Sequence, residues 1–257
     1  MKKRFFLILL LSLAINTNMI SENNSDLSKL KQHIPKYVKD INNIMEKSAK
    51  NKATLDELVE GTSTASMLVQ LIDNKDKKIK VASIGVFLAK QLQKEYPDRV
   101  EGYYYGSLLL GMIGVYKGVQ FILNYLPKIE SWVKKAIIIK GDYHDGAPYI
   151  LMCATYFEPP GFPISIGNIY KAKKYCEISV KKFPNNCTAY PYLAAIYDTL
   201  KNRKKAEQYI EMGLNNCAPA GNTLEEKIWT EQDLNTLKIM KIKLKNKESL
   251  KHFMEER

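Results

Sequence analysis

One segment, residues 184–219, constrains the fold of this 257-residue chain more than any other. Its apolar side chains recur every three or four residues in two runs, which is the period of an α-helix, and a polar turn separates the runs. Small residues stand at Ala194, Ala206 and Gly213, where two antiparallel helices would come closest. A larger side chain at these positions would push the backbones apart and open voids. The segment is therefore predicted to form a closely packed helical hairpin that ends at a proline.

The spacing within this hairpin resembles the tetratricopeptide repeat. A repeat of this kind cannot bury both of its apolar faces alone, so further helical pairs are expected beside it. The matching positions are Tyr190, Leu193, Ala194 and Tyr197 for W-x2-L-G-x2-Y, and Ala206 and Ile210 for A-x3-F.

The rest of the chain repeats the pattern of helix, turn, helix and closing turn. No stretch alternates with period two for long enough to predict a strand, so the fold class is all-α. We expect a single domain, residues 22–257, built as a stack of irregular hairpins with a C-terminal capping helix. The hairpins are expected near residues 54–97, 102–141, 147–184 and 187–219, with an insertion around 112–127 and a capping region at 222–250.

Capping motifs predict where several helices begin. Thr54 and Glu57 have the spacing of a capping box, in which each side chain bonds the backbone amide of the other. Two further helix starts are predicted in the capping region, at Thr223-x-x-Glu226 and at Thr230-x-x-Asp233.

The beginning of the chain is predicted to be an export signal. Lys2, Lys3 and Arg4 precede the apolar run 5–15, which is shorter than the roughly 20 residues of a membrane-spanning helix. We therefore expect residues 1–21 to be removed, at a cleavage site that the sequence does not define, although an uncleaved anchor is the alternative. The protein is expected to be periplasmic or secreted. No cysteine follows the run, so no lipid anchor is expected.

The formal charge of +12 does not predict a nucleic-acid partner. Three of the positive charges lie in the predicted signal, and almost all of the others are lysines spread along helices. Only Arg99, Arg203 and Arg257 follow the signal, whereas arginine is the residue that reads bases and phosphates through paired hydrogen bonds.

Four cysteines occupy the two C-terminal hairpins. Cys187 and Cys217 lie at adjacent ends of antiparallel helices, close enough for a disulfide in an oxidising compartment, although two free thiols are the alternative. Cys153 and Cys176 fall at core positions of the preceding hairpin, where a buried thiol is expected.

The sequence carries no constellation that predicts a metal site, a cofactor or catalysis. It lacks a C-x-x-C pair, and its histidines are scattered. Asp142, His144 and Asp145 share one loop without a partner elsewhere, and the Asp-Gly step that follows is a turn signal. This loop is expected to be a helix-entry turn, and the protein is not expected to be an enzyme.

Two features are candidates for ligand or partner binding. Tyr104, Tyr105 and Tyr156 could line a groove, because tyrosine offers an apolar ring with a polar tip, but packing between helices is the alternative. The second feature is an expanded turn within the third hairpin, which could dock a partner or could simply be a stiff connection. Its candidate residues are Pro160, Gly161 and Phe162.

With these features in place, the block from about Ala53 to Leu244 resembles the TatT component of TRAP transporters associated with tetratricopeptide proteins. Two positions depart from that family: no lipid-anchor cysteine follows the signal, and Gly141 replaces a proline at the end of the second hairpin. The segments that carry the resemblance are 96–98, 103–106, 126–130, 142–149, 160–168, Ala172, 183–184 and Leu193-Ala194-x-x-Tyr197.

The resemblance implies an exported, non-enzymatic scaffold that docks a periplasmic solute-binding protein and that can form homo-oligomers. The alternative function is that of a general secreted adaptor which holds a peptide or a hydrophobic ligand in its groove.

Overall fold

A computed structural model of the chain describes residues 25–218 and 224–256. These residues form twelve α-helices and no strand, which confirms the all-α fold. The predicted signal at 1–21 lies outside the described residues. Within them, no helix is both long enough and apolar enough to span a membrane. The helices fall into two compact units that meet in sequence after Lys140.

The first unit contains six helices that pack in chain order, each against the next. The fifth helix is its centre, with fourteen of its eighteen residues buried. Burial on nearly every side is what an all-round apolar helix requires. The helices are α1 (Ser25–Gln32), α2 (Ile34–Ala49), α3 (Leu55–Leu71), α4 (Lys75–Glu95), α5 (Val100–Lys117) and α6 (Val119–Lys140).

The second unit contains two helical hairpins followed by two further helices. The first helix of its second hairpin, α9, is buried along the whole stretch from Ala189 to Asp198, because helices pack on it from several sides. The helices are α7 (Ala147–Phe157), α8 (Ile169–Lys182), α9 (Ala189–Thr199), α10 (Arg203–Asn216), α11 (Leu224–Lys245) and α12 (Leu250–Glu256).

Small residues allow the close helix contacts in both units. In the first unit, a Cβ atom on Gly85 of α4 would lie 2.6 Å from Ala65 Cβ and 2.6 Å from Leu109 Cδ1. In the second unit, a Cβ atom on Gly213 of α10 would lie 2.9 Å from Tyr190 Cβ. Neither glycine has room for a side chain. The backbones of α4 and α10 therefore pack directly against the side chains of neighbouring helices.

The capping box at Thr54 is confirmed. Glu57 N–H donates to Thr54 Oγ1 over 3.3 Å, and Thr54 N–H donates to Glu57 Oε2 over 3.0 Å. The two side chains together satisfy two backbone amides that the start of α3 leaves without helical partners.

The expected insertion around 112–127 falls within helices, because α5 continues to Lys117 and α6 begins two residues later, after Gly118 at φ 95°. One expectation about local structure is wrong. The helix start predicted at Thr230 lies inside α11, and Asp233 instead accepts a hydrogen bond from Thr188 Oγ1 over 2.7 Å. Thr223 lies outside the described residues.

Replacement of Gly85 by alanine tests the close contact at the centre of the first unit. Alanine favours helix formation over glycine, yet its Cβ atom would overlap Ala65, so Gly85→Ala is expected to lower the free energy of unfolding by about 1–3 kcal/mol. Urea unfolding followed by circular dichroism measures the change. Lys90→Ala, at an exposed position of the same helix, is the control and should change stability by less than about 0.5 kcal/mol. Equal stability of the two variants would contradict the packing.

Candidate functional site

The connection between α7 and α8, residues 158–168, holds its shape through its own main-chain hydrogen bonds. Asn168 N–H donates to Tyr156 O over 2.8 Å, and Gly167 N–H donates to Pro160 O over 3.0 Å. Nearer the tip, Ile164 N–H donates to Gly161 O over 3.1 Å. We call this segment the α7–α8 loop. The hydrogen bonds of residues 167 and 168 join its two ends, and we call this pair of bonds the clasp. The conformation of the loop is therefore fixed by backbone hydrogen bonds as well as by its prolines.

The start of α8 extends this order. The Asn168 side chain accepts hydrogen bonds from the backbone amides of Tyr170 and Lys171, over 3.1 Å and 3.0 Å. An asparagine at this position is a strong N-cap, because it satisfies amides that have no partner within the helix. The cap therefore fixes the direction in which α8 leaves the α7–α8 loop.

Gly167 is the position on which the loop's closure depends. A Cβ atom there would lie 2.0 Å from Pro159 O and 2.6 Å from Pro160 O, which is closer than any real contact. Only glycine lets the two arms of the loop come this near.

The tip of the α7–α8 loop exposes large apolar side chains to solvent. Phe162 is 93% exposed and Ile164 is 68% exposed, and Tyr170, just beyond the loop, is also 68% exposed. By contrast, Pro160 is half-buried at the loop's base. Apolar side chains that a rigid segment presents to water are typical of an interaction surface. Of the predicted site residues, Phe162 and its neighbour Gly161 are therefore the accessible ones.

The predicted groove tyrosines of α5 lie in the first unit. Tyr105 is buried and Tyr104 is half-buried, and their rings meet edge to face with centroids 5.1 Å apart. Burial raises the pKa of the Tyr104 hydroxyl, so this group stays neutral throughout the physiological range. Both rings belong to the packing around α5 and are not part of the same compact unit as the α7–α8 loop.

Tyr156, the third predicted groove residue, is a core residue of the second unit. Its ring is 3% exposed and stacks on Tyr175 of α8 with centroids 5.9 Å apart. The Lys171 ammonium group lies 5.0 Å from the Tyr156 ring centroid, within range of a cation–π interaction. Tyr156 therefore packs beneath the α7–α8 loop, which its carbonyl helps to close, and its ring does not line a groove.

The next hairpin repeats the same cluster. Tyr197 of α9 stacks on Tyr209 of α10 with centroids 5.3 Å apart, and the Lys205 ammonium group lies 5.1 Å from the Tyr197 ring. Tyr197 Oη also donates to Glu177 Oε1 over 2.6 Å. Burial, together with the nearby Glu177 carboxylate, raises the pKa of Tyr197. These rings link α8, α9 and α10 within the unit.

Sequence reasoning missed this repeated cluster, although a signal for it is present. Lys171 and Tyr175 are four residues apart, and so are Lys205 and Tyr209. Residues four apart share a helix face, so the repeated spacing places a lysine one turn before each stacked tyrosine.

Both cysteine pairs are disulfides in the structure. Cys187 bonds to Cys217 with Cα atoms 4.9 Å apart, and Cys153 bonds to Cys176 with Cα atoms 5.4 Å apart. The expectation of separate buried thiols at Cys153 and Cys176 is therefore wrong. Both positions are indeed fully buried, but they face each other across the α7–α8 hairpin within ordinary disulfide range.

The loop 142–146 is the turn that leads into α7, which begins at Ala147. His144 and Asp145 adopt left-handed backbone angles, φ 44° and 49°, and Asn186 Nδ2 donates to Asp145 O over 2.9 Å. Within residues 25–218 and 224–256, no group of histidine, cysteine or acidic side chains is arranged to hold a metal ion.

Comparison of the sequence with models of known protein families and with curated proteins gives no match.

The crosslink at the ends of α9 and α10 can be tested by removing it. A disulfide that closes a loop of this size, with a sequence separation of 30, stabilises a fold by about 3–4 kcal/mol through the unfolded state. Cys187→Ala/Cys217→Ala is expected to lose about that much free energy of unfolding in urea without reductant. A reductant breaks the disulfide of the parent chain, so adding it should reduce the difference in free energy of unfolding between the parent and the variant. If this difference stays the same with reductant, the lost stability comes from replacing the side chains, which would contradict the crosslink.

Gly167→Ala tests the clasp at the base of the α7–α8 loop. The new Cβ atom would overlap Pro159 O, so the hydrogen bond from residue 167 to Pro160 should break. Hydrogen exchange measured by NMR should show the amides of residues 167 and 168 exchanging at least about tenfold faster. Gly161→Ala is the matched control, because its Cβ atom would lie 3.4 Å from Gly167 O, an ordinary contact. Unchanged exchange in Gly167→Ala would contradict the clasp.

Proposed function

We propose that the chain is an exported, non-enzymatic helical scaffold that docks a periplasmic solute-binding protein of a TRAP-type transporter. The single observation that carries the proposal is the α7–α8 loop, which presents Phe162 almost fully to solvent from a backbone fixed by hydrogen bonds. The sequence resemblance to the TatT component supplies the identity of the partner, and oligomer formation is part of the same proposal.

The shape of the α7–α8 loop favours docking over a passive connection. A segment that is already ordered loses little conformational entropy when a partner binds, so its apolar contacts contribute more fully to affinity. A central aromatic side chain that fills a pocket of the partner is the usual energetic anchor of such an interface. Phe162, at the tip of the loop, has the exposure that such an anchor needs.

Two further observations support the proposal. Disulfides persist in oxidising compartments, and both cysteine pairs are bonded. The burial of Tyr105 and Tyr156 argues against the alternative in which these two rings hold a small ligand in a groove.

Calorimetric titration tests the proposal with the intact chain and the solute-binding protein of the TRAP-type transporter encoded in the same genome. Phe162→Ser is expected to weaken binding at least about tenfold without lowering the melting temperature, because the side chain lies in solvent. Ile138→Ser, which removes a 77% exposed apolar side chain from α6, is the matched control and should bind like the parent.

Two outcomes distinguish an error about the docking element from an error about the function. If the parent and Phe162→Ser bind with equal affinity, the α7–α8 loop is not the docking element. If the parent binds no such protein, the proposed function is wrong.

A further inference from the structure

The helix that follows the α7–α8 loop, α8, carries charge almost entirely of one sign. Its fourteen residues include five lysines and a single glutamate. By contrast, α10 has three basic and two acidic side chains, and α11 has five lysines and four acidic side chains. The excess of positive charge in the second unit is therefore concentrated on α8. Its lysines are Lys171, Lys173, Lys174, Lys181 and Lys182.

The chain does not neutralise this charge. None of the five lysines forms an ion pair with a carboxylate of residues 25–218 or 224–256. Glu177, the acidic residue of α8, instead accepts a hydrogen bond from Tyr197 Oη. Elsewhere in the unit, basic side chains do pair with acidic ones, as Lys241 does with Glu211. The ammonium groups of α8 thus remain available to carboxylates of another molecule.

The lysines at the start of α8 are not explained by the stability of the helix. The N-terminal end of a helix has a partial positive charge, so acidic side chains stabilise it and basic ones destabilise it. The first turn of α8 has no acidic side chain and contains Lys171, and Lys173 and Lys174 follow in the next turn. Lys181 and Lys182, in the last turn, do have the stabilising arrangement. Folding therefore accounts for the last two lysines but not for the first three.

Two of these three lysines are held against aromatic rings. The Lys171 ammonium group lies 5.0 Å from the Tyr156 ring, and the Lys173 ammonium group lies 5.7 Å from the Tyr197 ring. Charges at fixed positions suit the defined carboxylates of a protein surface, whereas attraction to an anionic membrane requires only a cluster of basic residues. The arrangement favours a protein as the partner.

The lysines adjoin the apolar tip of the α7–α8 loop. The loop leads into the first turn of α8 through the Asn168 cap. Tyr170 and Lys174 are four residues apart, so they share a face of α8, and both are exposed. We define the basic docking surface as the exposed side chains of the loop tip and of the first two turns of α8. They are Phe162, Ile164, Tyr170, Lys171 and Lys174.

We propose that the basic docking surface binds an acidic face of the partner protein. On that face, an apolar pocket receives Phe162, and carboxylates beside the pocket pair with Lys171 and Lys174. This inference rests on the proposed function, for which it specifies the chemistry of the partner's surface. Charges around an apolar anchor speed association and exclude partners of the wrong charge, and salt weakens their effect.

Charge reversal tests the inference in titrations of the intact chain with the solute-binding protein, at about 0.05 M and about 0.5 M salt. Lys171→Glu/Lys174→Glu is expected to weaken binding at least about tenfold at low salt and less than about threefold at high salt. The variant should melt no lower than the parent, because acidic side chains suit the start of a helix. Lys90→Glu/Lys94→Glu, which reverses two exposed charges of α4, is the matched control and should bind like the parent at both salt concentrations.

Three results would overturn the inference. If the parent binds and the variant at residues 171 and 174 binds equally well at low salt, the partner's face is not acidic, although the proposed function stands. If the parent does not bind the solute-binding protein, the proposed function is wrong and the inference falls with it. The third result is parent protein that sediments with phosphatidylglycerol vesicles, binds them more tightly than the solute-binding protein, and loses this binding in Phe162→Ser. The occupant of the surface would then be a lipid membrane.

Discussion

The close approach of antiparallel helices at small residues is the constraint on which the rest of the structure depends. At Gly85 the backbone of α4 lies against Ala65 and Leu109, and at Gly213 the backbone of α10 lies against Tyr190. Interiors of proteins are packed to crystal-like density, so neither helix can move without opening a void or creating an overlap. The other features of each unit are arranged around helices whose spacing is already fixed.

This spacing explains the crosslinks and rings of the second unit. Facing positions on neighbouring helices are near enough for Cys153 to bond Cys176, and for Tyr197 to stack on Tyr209. The α7–α8 loop adds irregular backbone to this frame, and it satisfies part of its own polar groups through the hydrogen bond between Gly167 and Pro160. A fixed frame and a self-supporting loop together account for the exposed yet ordered position of Phe162.

Features that depend on helical period and on local capping could be predicted from the sequence. The all-α fold and the capping box at Thr54 are of this kind, because residues within a few positions of each other determine them. The bond between Cys153 and Cys176 could not be predicted with the same certainty, since it depends on how two helices rotate about their axes. The motif at Thr230 predicted a helix start wrongly, because the same residues also fit the interior of a continuous helix.

The candidate site was predictable only in part for the same physical reason. Proline and glycine marked the α7–α8 loop, and this signal found Phe162. The Tyr156 ring contacts the Tyr175 ring and the Lys171 side chain of α8. These contacts could not be predicted, because the sequence does not show which side chains of two neighbouring helices meet. The packing of α12 likewise depends on contacts between residues more than forty positions apart, such as Asp198 and Leu250.

In the proposed function, the chain is an exported scaffold whose hairpins are crosslinked by disulfides. Mass spectrometry of the protein purified from its native host, alkylated before and after reduction, tests that claim most directly. An exported, crosslinked protein is expected to lack its first residues and to have four cysteines that are alkylated only after reduction. A chain that retains Met1 and has four cysteines alkylated before reduction would contradict it.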